Sequence, residues 1–347
     1  MKLRTLTTTA AVVALAAGLT ACGSGDSSSS SASGGSSTPT VTLMVGGLDK
    51  VIYMPAKLTE QLGYFKDAGV NVNLKDEPSG ADAETLLLAH QVDGVVGFYD
   101  HTVAIQTKGK CLQSVVQMSK APGEVEVVST KSTIASPKDF GGKKLGVTSP
   151  GSSTDFLTQA LAARAGVPTQ GFTRVKAGAG ATFIAALANG GIDAGMTTDP
   201  TIAQLTSTGQ GKVMLDMRTE EGSKQALGGA YPSSSLYMDC DYVAAHKDAV
   251  QKVANAFVRT LQWMSTHSAQ EIADKMPADY AGSDKNLYVD SVKSTLPMFT
   301  SDGVMPADGP QTVLDVLGKY NPALKGKKVD LSKTYTTTFV KAAASHG

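Results

Sequence analysis

Several classes of protein are excluded by what this chain of 347 residues lacks. It has no basic excess: 31 Lys+Arg stand against 31 Asp+Glu. Two of those bases, Lys2 and Arg4, lie in the first 21 residues, which hold no acid, so a chain starting at Cys22 carries a net −2. A nucleic-acid binder would show the opposite balance, or a basic stripe. Cysteine is scarce, with only Cys22, Cys111 and Cys240, and no C-x-x-C occurs. The five histidines, His90, His101, His246, His267 and His346, include no pair three or four apart. Metal-ligand spacing is therefore missing, as are H-E-x-x-H and the G-x-S-x-G of serine hydrolases. No apolar run reaches the roughly 18 residues of a membrane helix. Charged residues make up 18%, below the roughly 25% of a typical soluble domain. The hydrophobic content of 41% supports a large core and excludes wholesale disorder.

Residues 1–21 read as an export signal. Lys2 and Arg4 precede the apolar stretch Ala10–Leu19, which is too short to span a bilayer. It ends in Leu19-Thr20-Ala21-Cys22-Gly23, which resembles the lipobox of bacterial lipoproteins, with Cys22 as the lipidated new N-terminus. Residues 22–40 follow as lipidated Cys and tether. Nine of the 18 residues from Gly23 to Thr40 are Ser, giving a flexible segment with a reach of roughly 20–25 Å. Cys111 and Cys240 remain. An exported chain permits a disulfide between them, and the spacing leaves a bridge and two buried thiols equally open.

The remaining body, about 300 residues, is too long for one core and suits two lobes. Its pattern repeats after about 100 residues. The first copy runs from strand Val41–Val45 through a helical stretch with Leu58, Leu62 and Phe65. Then come Ala68-Gly69-Val70, a strand near Val70–Leu74, the loop Pro78-Ser79-Gly80, a helix around Glu84–Ala89, Val92-Asp93 and strand Val95–Phe98. The second copy starts at Leu145-Gly146-Val147. It continues through the loop Thr148–Ser153, a helix with Phe156 and Leu157, Ala165-Gly166-Val167 and a strand near Phe172–Val175. It ends with the loop Gly178–Gly180, a helix at Phe183–Ala188 and Ile192-Asp193 before Met196. Alternating strands and helices predict parallel α/β sheets with loops gathered at the strand carboxyl ends. After strand Ser234–Met238 the pattern turns helical, with Asp248–His267 amphipathic, and this tail is expected to cover the first lobe. The expected organisation is 41–128 plus 232–347 as lobe I and 129–231 as lobe II, with two crossings forming a hinge over a cleft.

Three loops carry candidate chemistry. In Gly146-Val147-Thr148-Ser149-Pro150-Gly151-Ser152-Ser153-Thr154-Asp155-Phe156, a strand enters a Gly/Ser turn and leaves as a helix. Unpaired N–H groups at a helix start, beside the hydroxyls of Ser152, Ser153 and Thr154, favour an anionic or accepting ligand group. The same residues also suit plain capping, with Asp155 three positions after Ser152. Tyr99, Asp100 and His101 lie at the end of the third strand, where open α/β sheets bind ligands. Asp199 precedes Pro200 in the matching loop of lobe II and suits an N-cap or a cleft contact. Lys50 and Tyr53 lie in the first loop, where Tyr53 would stack on a planar ligand or pack between lobes.

GVTSPGSSTDFL, GFYDHTVAIQTKGK, TTDPTIAQLTSTG and YMPAKLTEQLGYFKDAGVNV closely resemble the substrate-binding proteins of ABC importers in the nitrate/sulfonate/taurine/thiamine-pyrimidine group. The resemblance spans about residues 41–345. It implies a periplasmic-binding-protein-like type II α/β fold of two hinged lobes. It also implies a monomeric binding protein without cofactor, metal or catalysis, and with no nucleic-acid partner. Its partners would be a small-molecule ligand and an ABC permease with its cytoplasmic ATPase. Its place would be outside the cytoplasm, held by lipid at the outer face of the cytoplasmic membrane or in the periplasm. By position, the resemblance implies ligand contacts at Tyr53, Tyr99, His101, Ser152, Ser153, Thr154 and Asp199. The fungal pyrimidine-synthesis enzymes of this fold use a cysteine-rich motif that is not matched here. Asp100, Asp155 and Asp199 stand against Lys50 alone, so the loops suit a taurine-like zwitterion, an alkanesulfonate or an aminopyrimidine better than nitrate. The alternatives are a nitrate-type anion receptor, a sensory protein that presents ligand, and a secreted enzyme using His101 as base and Ser153 as nucleophile.

Overall fold

Residues 38–321, 324 and 328–344 are described by a computed structural model. The expected export signal at 1–21, Cys22 and the Ser-rich tether up to residue 37 lie outside the described residues. Thr40, expected as the end of the tether, already belongs to the first strand.

The described residues form one compact unit built on two five-stranded sheets. The strands are β1 Thr40–Val45, β2 Asn71–Asp76, β3 Gly94–Phe98, β4 Leu112–Gln117, β5 Glu124–Ser129, β6 Lys144–Val147, β7 Thr173–Lys176, β8 Ala194–Thr198, β9 Gly211–Asp216 and β10 Ser234–Asp239. The first sheet has the order β2-β1-β3-β10-β4 and the second β7-β6-β8-β5-β9. Each sheet is parallel except for one strand inserted between its third and fourth native members: β10 in the first, β5 in the second. β5 straddles the expected boundary at 128/129 but pairs wholly in the second sheet, so the chain crosses before residue 124. It returns before Ser234.

The repeated motifs have repeated jobs. Asp93 and Asp193, from the Val-Asp and Ile-Asp pairs, each accept a hydrogen bond at 2.7 Å from the first strand of their own copy of the repeat, from the N–H groups of Thr42 and Lys144. Gly69 and Gly166, from the two Ala-Gly-Val triplets, adopt φ of 72° and 81° where the preceding helix ends. Only glycine enters that left-handed region without strain. The central strands β3 and β8 are buried along their whole length, as parallel strands covered on both faces must be.

The helical tail packs on both lobes: Lys247–Met264 lies on the first, while Lys285–Thr295 and Gly309–Tyr320 also meet helices Thr201–Ser207 and Ser153–Arg164 of the second. Helix Lys247–Met264 buries Val250, Val253, Ala254, Phe257, Val258, Leu261 and Met264, the predicted stripe. Phe257 meets Phe65 edge-on at 5.5 Å, and Thr260 bonds Thr59 at 2.7 Å. Cys111 and Cys240 are joined in a disulfide. It ties the start of β4 to the residue after β10, at the edge opposite the strand carboxyl ends.

Candidate functional site

All the loops singled out in the sequence emerge from carboxyl ends of parallel strands: 46–53 after β1, 99–101 after β3, 148–153 after β6 and 199 after β8. The two antiparallel strands add their beginnings to the same edges. Glu124 lies beside Thr198 at the end of β8, and Ser234, just after Tyr231, beside Phe98 at the end of β3. Glu124 and Tyr231, which no motif marks, thus reach the crevice because an inserted strand runs backwards.

The centre of the seam is Asp100, fully buried. Its Oδ1 accepts from Ser153 Oγ of the second lobe at 2.8 Å, and its Oδ2 accepts from Tyr231 OH at 2.8 Å. Burial raises its pKa, opposed by His101 and by these two donors. Its charge in turn raises the hydroxyls of Tyr53, Tyr231 and Tyr237 and the carboxyl of Glu124, each already pushed up by burial. Ser153 is the first residue of helix Ser153–Arg164. The helix start expected to receive a ligand's acceptor group therefore faces a carboxylate of the protein itself.

The neighbouring hydroxyls do structural work. Ser152 Oγ donates to Ser149 O at 2.7 Å, and Thr154 Oγ1 accepts from Thr148 N–H at 2.9 Å. Asp155 accepts from Gly151 N–H and pairs with Arg174 at 2.8 Å. Ser152, Thr154 and Asp155 shape the turn that presents Ser153. Ser149 Oγ meets Ser79 Oγ of the first lobe at 2.6 Å.

Tyr53 lies at the seam, with its ring edge-on to Phe98 and close over Gly46, where a Cβ would come within 2.9 Å of the ring. Lys50 Nζ donates to Gly46 O and Pro78 O, both at 2.7 Å, and burial lowers its pKa against the pull of Glu124. His101 Nδ1 pairs with Glu84 at 2.5 Å, its ring lies 5.6 Å from that of Phe156 of the second lobe, and its Nε2 has no partner among the described residues. Burial alone would lower the His101 pKa, but Glu84 and Asp100 outweigh it and the net shift is upward.

Two expected residues turn elsewhere. Tyr99 sits where β3 passes into helix Asp100–Ile105, so its side chain leaves on the opposite side from that of Asp100. Its hydroxyl bonds Thr334 Oγ1 at 2.5 Å and its ring meets Tyr335. Asp199 pairs with Arg218 at 3.0 Å, caps Ala203 N–H and accepts from Thr295 Oγ1 of the first lobe, while its carbonyl accepts from Val51 N–H. It clasps the lobes together from the side rather than facing Asp100. The side chains of Tyr99 and Asp199 are thus engaged by other partners than Asp100, while Glu124, Tyr231 and Tyr237 join Asp100, which the sequence already offered, as candidates.

Two seam atoms besides His101 Nε2, Glu124 Oε2 and the Tyr237 hydroxyl, are buried and without a partner among the described residues. Polar atoms in such positions each cost about 1–3 kcal/mol unless something bonds them. No group of three or more His, Cys, Asp or Glu among the described residues could hold a metal ion, and no described helix is long and apolar enough to cross a membrane.

The family model described as NMT1/THI5 like matches residues 53–271. A solved structure from Bordetella bronchiseptica RB50 is 32% identical, with a TM-score of 0.85 over 88% of this chain and 97% of that one. The alkanesulfonate-binding protein SsuA from Xanthomonas axonopodis pv. citri, bound to MOPS, is 18% identical with a TM-score of 0.69, covering 87% of this chain and 99% of its own. The periplasmic nitrate-binding protein NrtA from Synechocystis PCC 6803 is 14% identical with a TM-score of 0.69, covering 88% of each. At those identities the last two show the fold alone, that of the periplasmic binding proteins. No curated protein matches the sequence.

Proposed function

The chain belongs to the NMT1/THI5-like family, and on that premise we propose that it is the extracytoplasmic solute-binding protein of an ABC importer, capturing a small organic zwitterion or aminopyrimidine between its two lobes. The observation that carries this reading is the seam itself. Donors and acceptors from both lobes converge on Asp100, and buried polar atoms of Glu124, His101 and Tyr237 are left unpartnered beside it. A guest that bonds these atoms stabilises the closed arrangement over an open one by its differential affinity. A membrane permease would then read the closed form.

The chemistry favours binding over turnover. Ser153 donates to Asp100 and His101 is held by Glu84, so each candidate catalytic group is engaged by a different carboxylate. A pure inorganic anion is the weaker ligand reading, because Lys50, the buried lysine near Glu124, already spends two of its three donors on carbonyls, and Lys176 and Lys120, which also cross between the lobes, are paired with Asp82 and Glu220. We extend the proposal to the leader: Cys22 carries lipid, and the Ser-rich tether lets the folded body range near its permease.

Calorimetric titration of the purified full chain with taurine, an alkanesulfonate, an aminopyrimidine and nitrate tests the ligand reading. Stoichiometric uptake of a zwitterion or aminopyrimidine, with a rise in Tm and no product, supports it. Tight nitrate binding with no response to the others contradicts it. Cys22→Ser is expected to release the protein from membranes with ligand affinity unchanged.

A further inference from the structure

We propose that the captured guest carries a positively charged nitrogen group, that this group sits between Asp100 and Glu124, and that Glu124 is the residue that decides which guests are accepted. This rests on the capture reading above and specifies the charge at its site.

The seam has more unused acceptor positions than free donors. His101 and Glu84 answer each other at 2.5 Å. That leaves the Asp100 and Glu124 carboxyl groups near Lys50, with burial favouring the protonated form of Glu124. Lys50 is already turned toward the carbonyls of Gly46 and Pro78. The helix start at Ser153, the other electropositive feature, is answered by Asp100. An anion entering here would meet the Asp100 carboxyl and find Lys50 already engaged by two carbonyls.

A cation meets the opposite situation. Glu124 Oε2 is buried and unpartnered, and each oxygen of Asp100 has accepted only one donor of the two it can take. Independently, the buried Tyr237 hydroxyl is unpartnered among the described residues, and its ring lies 6.2 Å from that of His101, the residue after Asp100. Tyr53 and Tyr231 add aromatic surface, which attracts cations. Glu124 is held at this place by the backbone: it starts β5 beside Thr198, and the preceding Gly123 packs so closely on Ile52 that a Cβ there would come within 2.7 Å. Burial raises the Glu124 pKa well above the ordinary carboxyl range, so a cation that ionises it displaces a proton.

Titration calorimetry of the purified full chain with matched probes separates the outcomes. Benzamidine is compared with benzamide, and taurine with isethionate, each pair alike in shape but for the cation; nitrate is the pure anion. In buffers of different ionisation enthalpy, the heat reports proton release. At least one cationic member is expected to bind tenfold or more tightly than its twin, releasing roughly one proton. Glu124→Gln is expected to remove both the preference and the release. The wild-type preference needs no variant, so misfolding of the variant cannot mask the result. Equal binding within both pairs, or a preference that Glu124→Gln leaves intact, overturns the inference. Isethionate or nitrate binding alone overturns it while leaving capture standing, and no binding by any probe counts against both.

Discussion

Ser153 Oγ donates to Asp100 Oδ1 at 2.8 Å, so a hydroxyl at the start of a helix in one lobe is held by a carboxylate at the start of a helix in the other. A hydrogen bond to a charged group contributes about 1.5–3 kcal/mol. Ser153→Ala is expected to lower the unfolding free energy by an amount in that range, with a lower midpoint, and to increase the radius of gyration in solution scattering, as the lobes part more readily. An unchanged radius and midpoint would mean the contact has no hold on the lobes.

Asp199 supplies a second link of another kind. It is buried, paired with Arg218 and bonded by Thr295 across the lobes. Removing one partner of a buried pair costs about 3–5 kcal/mol. The loss from Asp199→Ala should be smaller, about 2–3 kcal/mol, because Arg218 keeps Asp216. Urea unfolding measures it, and a midpoint equal to wild type would refute the clasp.

The Cys111–Cys240 bond spans 129 residues of sequence. In the chain-entropy model such a loop contributes up to about 5 kcal/mol. Reduction, or Cys111→Ser with Cys240→Ser, is expected to lower the denaturant midpoint sharply. Ligand affinity should hold, since the bond lies at the edge away from the crevice.

Glu126 gives a pH signature. It lies two residues beyond Glu124 on the same face of β5, fully buried, with both carboxyl oxygens unpartnered among the described residues, and burial pushes its pKa up to about 8. The folded state thus holds a proton that the unfolded chain releases near pH 4.5. Its contribution is fully present below that value and is lost as pH rises to about 8, at about 1.4 kcal/mol per unit. Melting curves from pH 5 to 8.5 should fall more steeply for wild type than for Glu126→Gln. Parallel curves would count against a buried neutral Glu126.

The doubled fold was legible because its punctuation is physical. Gly69 and Gly166 end helices in a conformation few other residues accept, and Asp93 and Asp193 tie the first strand of each copy of the repeat. Both motifs need particular residue types at fixed places. The strands β4, β5 and β9 left weaker marks. In β5, Glu124-Val125-Glu126-Val127 alternates like a half-exposed strand, yet both glutamates are buried. Single-sequence reasoning places carboxylates in solvent. The site was legible only in part for the same reason. Ser153 and Tyr53 came from loops at parallel strand ends, where crevices are expected. Glu124 and Tyr231 arrive on strands that run the other way, and only the sheet order reveals that. Tyr99 was misdirected by adjacency: one residue along a strand-to-helix junction sends the side chain to Thr334 instead of the seam.

Ser79 Oγ and Ser149 Oγ lie 2.6 Å apart across the lobes, near enough for a cysteine pair in their places to form a bond. Ser79→Cys with Ser149→Cys, oxidised, would lock the crevice shut. Titrating a probe that wild type binds into the oxidised and the reduced variant tests capture by opening and closing most directly. The account predicts that uptake is lost on oxidation and restored on reduction; equal affinity in both states would contradict it.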